Sequence, residues 1–157
     1  MKKILITGGA GYIGSHTAVE LWKAGMEPII LDDLSNSYAS VIDRLEEITG
    51  KRFAFYQGDC NKKSLLKSIA DKHKIEGVIH FAAFKAVGES TAQPLKYYRN
   101  NVGSLMVLLQ FMQERGIRDL VFFIFLYGVW AAGRAAGDRI HAKKRSRESL
   151  WQHKENL

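Results

Sequence analysis

Short apolar runs alternate with longer segments of helical period over the first 123 residues of the chain. That alternation is the signature of a parallel sheet flanked by helices on both faces. The runs Lys3 to Thr7, Pro28 to Asp32, Phe53 to Gln57, Gly77 to Ala82 and Asp119 to Phe123 read as strands. Between them Tyr12 to Ala24, Ala39 to Ile48, Lys63 to Lys72 and Leu95 to Arg115 read as helices. In the first helix Ile13, Thr17, Leu21 and Ala24 recur at three- and four-residue spacing and share one face. Gly25, Gly50 and Gly116 fall where helices should end in left-handed caps. The pattern predicts an α/β fold, a doubly wound parallel sheet with flanking helices, incomplete at five strands.

The regularity stops after Phe123. Tyr127 to Gly137 mixes glycines and alanines without a clean period, and Arg139 to Leu157 is polar and basic with an isolated Trp151. The expected organisation is one domain over 1–123 followed by an unrelated tail over 124–157. At 157 residues there is no room for two sizeable cores. The net charge of +7 raises the question of nucleic acid, and its distribution answers it. Residues 1–123 carry 16 basic and 13 acidic side chains (+3), and residues 124–157 carry 7 and 3 (+4), so most of the excess lies in the tail. Its cluster Lys143, Lys144, Arg145 and Arg147 has no interleaved aromatics, and no nucleic-acid partner is expected. The longest apolar run, Phe122 to Ala132, is too short to span a bilayer, which takes about 20 residues. A lone cysteine, Cys60, and the absence of a charged leader before an apolar stretch suit a soluble, cytoplasmic protein.

The first strand runs into Thr7-Gly8-Gly9-Ala10-Gly11-Tyr12-Ile13-Gly14 at the mouth of the first helix. Glycines at 8, 11 and 14 in that context form a dinucleotide-binding turn: one permits the tight bend, one lets backbone N–H groups approach a pyrophosphate, and one allows close helix-to-strand packing. The helix N-terminus adds partial positive charge for the phosphates. At the end of the second strand, 18 positions past Gly14, Asp32 can accept hydrogen bonds from an adenosine ribose or cap its own loop. It would repel a 2′-phosphate, and no Arg or Lys follows within Asp33 to Tyr38 to hold one, so NAD is expected over NADP. The fold expected is therefore Rossmann-like.

Ligands of open α/β sheets gather at the carboxyl ends of the strands. After the third strand stand Asp59, suited to an adenine amino group or to capping the next helix, and Cys60. After the fourth comes His80-Phe-Ala-Ala-Phe-Lys-Ala-Val-Gly-Glu-Ser90, later followed by Pro94-Leu-Lys-Tyr-Tyr-Arg-Asn-Asn-Val102. With the glycine turn and Asp32-Asp-Leu-Ser-Asn-Ser37, these segments closely resemble the UDP-glucose (UDP-galactose) 4-epimerases, which are extended short-chain dehydrogenases/reductases. The resemblance runs from Met1 to about Phe123. It implies NAD contacts at Gly8, Gly11, Tyr12, Ile13 and Gly14, at Asp32, Asp33, Asn36 and Ser37, at Asp59 and Cys60, at Phe81, Ala82, Ala83 and Lys85, and at Asn100. Ala82 and Ala83 would let the backbone pass beside the cofactor, Lys85 would serve the nicotinamide ribose, and Asn100 would reach the cofactor from a long helix. His16, His73 and His80 show no ligand set, and no metal is expected.

The resemblance also implies a catalytic serine or threonine, tyrosine and lysine, with the last two spaced Tyr-x-x-x-Lys. The chain contains no Tyr-x-x-x-Lys, and its fifth strand continues as Phe123-Ile-Phe-Leu-Tyr127 where the family carries serines. Phe122 to Trp130 can be written TTT TTC ATC TTC CTC TAC GGT GTA TGG. Deleting one T gives codons for Phe-Ser-Ser-Ser-Ser-Thr-Val-Tyr-Gly, similar to the family strand. The same shift over Ser149 to Asn156 allows Pro-Tyr-Gly-Asn-Thr-Lys-Lys, which contains the missing spacing. A frameshifted tail is therefore expected, with no catalytic residue in this chain and an apolar edge at Phe122, Phe123, Phe125 and Trp130 prone to aggregation. The intact parent is expected to interconvert UDP-glucose and UDP-galactose through a 4-keto intermediate, as a homodimer. The competing readings are a non-catalytic NAD-binding module and a fragment of another NAD-dependent nucleotide-sugar epimerase or dehydratase.

Overall fold

In the computed structural model, residues 1–123 are described. The expectations for Phe125, Trp130 and the rest of the tail lie outside the described residues. Five parallel strands form one sheet: β1 (Lys3–Thr7), β2 (Glu27–Asp32), β3 (Ala54–Gln57), β4 (Ile75–His80) and β5 (Asp119–Phe122), in the order β3-β2-β1-β4-β5. The chain winds outward from β1 through β2 to β3, then crosses back to β4 on the other side. A crevice therefore opens between the carboxyl ends of β1 and β4, where the order reverses. This is a Rossmann-like doubly wound sheet.

Side chains of successive strand residues point to opposite faces, and the two cores follow that period. Ile4, Ile6 and Ile30 pack with Ala18 of α1 (Tyr12–Lys23) and with Ile42 and Leu45 of α2 (Ser40–Thr49). Leu5, Ile29, Leu31 and Val78 face the other way, onto Leu66 and Ile69 of α3 (Lys63–Lys72) and onto Leu108, Phe111 and Met112. Burial of apolar side chains on both faces is what stabilises a central strand such as β1, where Leu5 and Ile6 have no exposure. The expected caps are present: Gly25, Gly50 and Gly116 all have positive φ.

Three elements differ from the sequence pattern. β4 starts two residues early and ends at His80, because beyond it only Phe81 N–H still bonds β1, at Thr7 O. A short helix, α4 (Val87–Ala92), follows that departure; it buries no side chain, so it has no apolar period to betray it. The long helix expected over Leu95 to Arg115 is α5 (Pro94–Tyr97), a π-helical turn (Tyr98–Val102) and α6 (Gly103–Arg115). The π turn cannot be read from a 3.6-residue period, since it interrupts that period.

His80 is the last residue of β4 and lies buried. It is 1% exposed, its Nδ1 pairs with Thr7 Oγ1 at 2.5 Å and its Nε2 with Ser104 Oγ at 3.3 Å, and its ring stacks on Phe122. Burial pushes its pKa down to about 4. An unfolded imidazole takes a proton near pH 6.5, so between 6.5 and 4 the unfolded chain binds more protons than the folded one. Stability is fully present above pH 6.5 and falls as the pH drops through this window. Urea melts should show a loss of about 2 kcal/mol at pH 5 relative to pH 7. A smaller loss is expected in His80→Gln; an equal loss there would assign the titration elsewhere.

Candidate functional site

The crevice is lined by Gly8, Gly11, Tyr12, Ile13 and Gly14 from the turn after β1, and by Leu31, Asp32, Asp33, Ser35, Asn36 and Ser37 from β2 and its loop. Gly58, Asp59 and Cys60 follow β3, Phe81 to Lys85 follow β4, and Asn100 reaches in from the π turn. All sixteen residues singled out in the sequence line this one cleft. Leu31, Ser35, Gly58 and Phe84 line it too. Ser35 lies inside the motif Asp32 to Ser37 and was within reach of the same reasoning.

Close backbone approach forms the turn. Gly8 has φ +68°, and a Cβ there would lie 2.8 Å from the Ala82 backbone nitrogen. Its own N–H donates to Leu31 O at 2.8 Å, tying the turn to β2. A Cβ at Gly14 would overlap the Gly8 carbonyl oxygen and lie 2.7 Å from Gly9 Cα, so α1 sits directly on the turn. Gly11 is the N-cap of α1 and no side chain caps the helix. Ser15 N–H is the one that turns back to Gly11 O. The first amides, at Tyr12, Ile13 and Gly14, are thus the donors that the helix offers to an anion in the cleft.

The Asp32 carboxylate is 8% exposed and already serves the protein. Oδ2 accepts from Ala10 N–H at 3.0 Å, and Oδ1 accepts from Leu34 N–H at 2.9 Å and from Ser37 Oγ at 2.8 Å. Loop capping is therefore real, and it extends across the crevice to the glycine turn. Two carboxylate oxygens offer about four acceptor positions, so one on Oδ2 remains open. Leu34, at φ +61°, is the one described residue other than glycine with positive φ, and its N–H is one of those held by Asp32.

Asp59 is no helix cap. Its Oδ1 accepts from the backbone and side-chain N–H groups of Asn61 at 2.8 and 2.9 Å, while Lys62 is the N-cap of α3. Cys60 is buried, and burial with the charge of Asp59 pushes its pKa up to about 12. It therefore remains a thiol at neutral pH and acts by packing, not as a nucleophile. Lys85 is exposed at the cleft mouth. His16 Nδ1 bonds Tyr12 O, and His73 Nε2 bonds Tyr56 OH. Among the described residues no group of three His, Cys, Asp or Glu side chains could hold a metal ion, and no helix is long and apolar enough to cross a membrane.

Sequence comparison matches residues 5–126 to the family model of GDP-mannose 4,6 dehydratase. A UDP-glucose 4-epimerase of Neisseria meningitidis serogroup B is 51% identical over 122 residues, covering 78% of this chain and 36% of that protein. A UDP-glucose-4-epimerase from Stenotrophomonas maltophila, solved with bound NAD and formylated UDP-arabinopyranose, superposes with a TM-score of 0.75 at 44% identity, covering 78% of this chain and 36% of that one. The Bifidobacterium longum UDP-glucose 4-epimerase, solved with NAD+ and UDP, gives 0.75 at 41% identity over 77% of this chain and 36% of that one. The chain spans about a third of the length of these relatives. The segments that match are those that build the crevice, and the chain belongs to the GDP-mannose 4,6 dehydratase family, its residues 1–123 resembling the N-terminal part of UDP-glucose 4-epimerases.

Proposed function

We propose that residues 1–123 are an NAD-binding domain from a UDP-glucose 4-epimerase, and that this chain binds the cofactor without turning over a nucleotide sugar. The observation that carries the reading is the crevice itself. It combines a glycine turn too tight for side chains, uncapped helix amides and a buried carboxylate with one spare acceptor position. The pyrophosphate would lie against the amides of Tyr12 and Ile13, with Gly8, Gly11 and Gly14 keeping the surface bare. Asp32 would take the adenine ribose, with Asp33, Asn36 and Ser37 beside it. Asp59 and Cys60 would border the adenine, and Phe81, Ala82, Ala83, Lys85 and Asn100 the nicotinamide half. Bound NAD supplies a nicotinamide ring that accepts and returns hydride.

Proton removal from a sugar hydroxyl must accompany that hydride transfer, and the chain has no Tyr-x-x-x-Lys to perform it. This favours a non-catalytic module for the chain as it stands, with epimerisation of a UDP-sugar belonging to the intact parent. The tail over 124–157 is read as the product of a one-nucleotide shift near the codons for Phe122 and Phe123. The cytoplasm is the compartment proposed. The parent would pair as a homodimer through the exposed stripe Leu95, Tyr98, Val102, Met106 and Leu109.

Calorimetric titration of the purified chain should give saturable binding of NAD, weaker binding of NADP, and no conversion of UDP-galactose above background. Restoring the reading frame should yield a longer chain that does convert it. A folded preparation without affinity for NAD would overturn the cofactor reading, and turnover by the 157-residue chain would overturn the claim of inactivity.

A further inference from the structure

Two consecutive residues of an α-helix point about 100° apart, yet Asn100 and Asn101 both turn inward, between buried Tyr97 and buried Ser104. The π turn Tyr98–Val102 makes this possible by widening the helix. Asn101 Oδ1 accepts from Phe84 N–H at 2.8 Å and its Nδ2 donates to Phe84 O at 3.0 Å. A backbone N–H and C=O cannot exchange places, so this pair fixes which way the Asn101 amide faces. Its Oδ1 also accepts from Asn100 Nδ2 at 3.0 Å, which turns Asn100 Oδ1 toward Asn61 Nδ2 at 3.5 Å. Asn61 Nδ2 gives its other hydrogen to Asp59 Oδ1.

The chain of amides is thus polarised from both ends in the same sense. At one end Asp59 accepts only; at the other the Phe84 backbone offers one donor and one acceptor in fixed order. Asn100, which lines the crevice, keeps a second N–H free to donate, and its Oδ1 is held on the side of Asn61. We propose that Asn101 is a positioning residue of the cofactor cleft: it clamps the backbone of Phe84 and, through Asn100 and Asn61, sets the donor face that Asn100 presents. The consequence for affinity rests on the NAD reading above; the clamp does not.

Asn101→Asp tests the polarity. As a carboxylate it can still accept from Phe84 N–H but meets Phe84 O with a second acceptor; once protonated, its O–H replaces the lost donor. The full chain carrying Asn101→Asp should bind NAD about tenfold more weakly than wild type at pH 8. The ratio of the two Kd values should shrink toward one at pH 5. Ionisable groups around the site are Asp59 beyond Asn61, His80 behind Ser104, Lys85 next to Phe84, and Lys96 and Tyr97 against the Phe84 ring, with Glu89 bonded to both. They are common to both proteins, so the ratio isolates position 101, and circular dichroism at each pH confirms folding. Asn101→Ala, followed by hydrogen exchange without cofactor at one pH, should lose protection over residues 81–86 while β1 and α1 keep theirs. A pH-independent ratio near one, or unchanged exchange over 81–86, would overturn the proposal. Wild type that fails to bind NAD would overturn the cofactor reading alone, since the exchange result still judges the clamp.

Discussion

A chain with alanine at position 14 should bind NAD at least a hundredfold more weakly than wild type and melt at a clearly lower temperature. The added methyl overlaps the Gly8 carbonyl oxygen and comes within 3.0 Å of the Gly8 carbonyl carbon and 2.7 Å of Gly9 Cα. These are backbone atoms, which cannot rotate aside as a side-chain end would. Gly8 is itself held by its N–H bond to Leu31 O and by contact with the backbone of Ala82, so the turn cannot retreat. Relief therefore requires α1 to back away, and the amides of Tyr12 and Ile13 move with it. Overpacking of this kind costs about 3 kcal/mol in stability, and amides displaced by even half an ångström lose their alignment with an anion. Gly88→Ala is the control: a Cβ there meets nothing within 4 Å and the residue lies in α4. Thermal unfolding and NAD titration of both variants check this. If Gly14→Ala binds like wild type, helix-to-turn contact is not what shapes the cleft.

How far such a site is legible depends on whether its cause is local. The glycine turn is local: strand, glycine spacing and helix lie within fourteen residues, and Gly8 and Gly14 meet the backbone atoms that a tight bend and close helix packing imply. The strands β1 and β2 were legible because their apolar runs are buried on both faces, and the outward winding follows from the β1–α1–β2 unit. The ends of β4 were not legible, since Phe81 is as apolar as the strand before it and leaves the ladder only because the backbone turns toward the cleft. The π turn and α4 were missed for want of period. Asp32 shows the limit most clearly. The sequence places a carboxylate at the end of β2 and offers ribose binding or loop capping as alternatives. In the structure it caps its loop and also reaches Ala10, twenty-two positions earlier, while keeping a place open. Nothing in a single sequence records a hydrogen bond between segments joined only by the sheet, and the chain of amides from Asp59 to Phe84 was invisible for the same reason.

That double duty makes Asp32→Asn the sharpest test of what the carboxylate is for. Asparagine keeps the shape but has one accepting oxygen. If that oxygen stays with Leu34 and Ser37, its NH2 group faces Ala10 N–H, and both the tie to the glycine turn and the spare acceptor position are gone. An N–H left facing another donor costs about 1–3 kcal/mol, which corresponds to roughly a ten- to hundredfold loss of NAD affinity if the turn must be reordered on binding. Binding of NADP should suffer less, because the negative charge that repels its 2′-phosphate is removed along with the hydrogen bonds. Loosening of the turn weakens both cofactors alike and cancels in the ratio of their Kd values, so the ratio reads only the ribose end. A narrowed preference for NAD places the ribose at Asp32. A lowered melting temperature with an unchanged ratio would make Asp32 a brace for the turn and nothing more, and would remove the physical basis for choosing NAD over NADP in this chain.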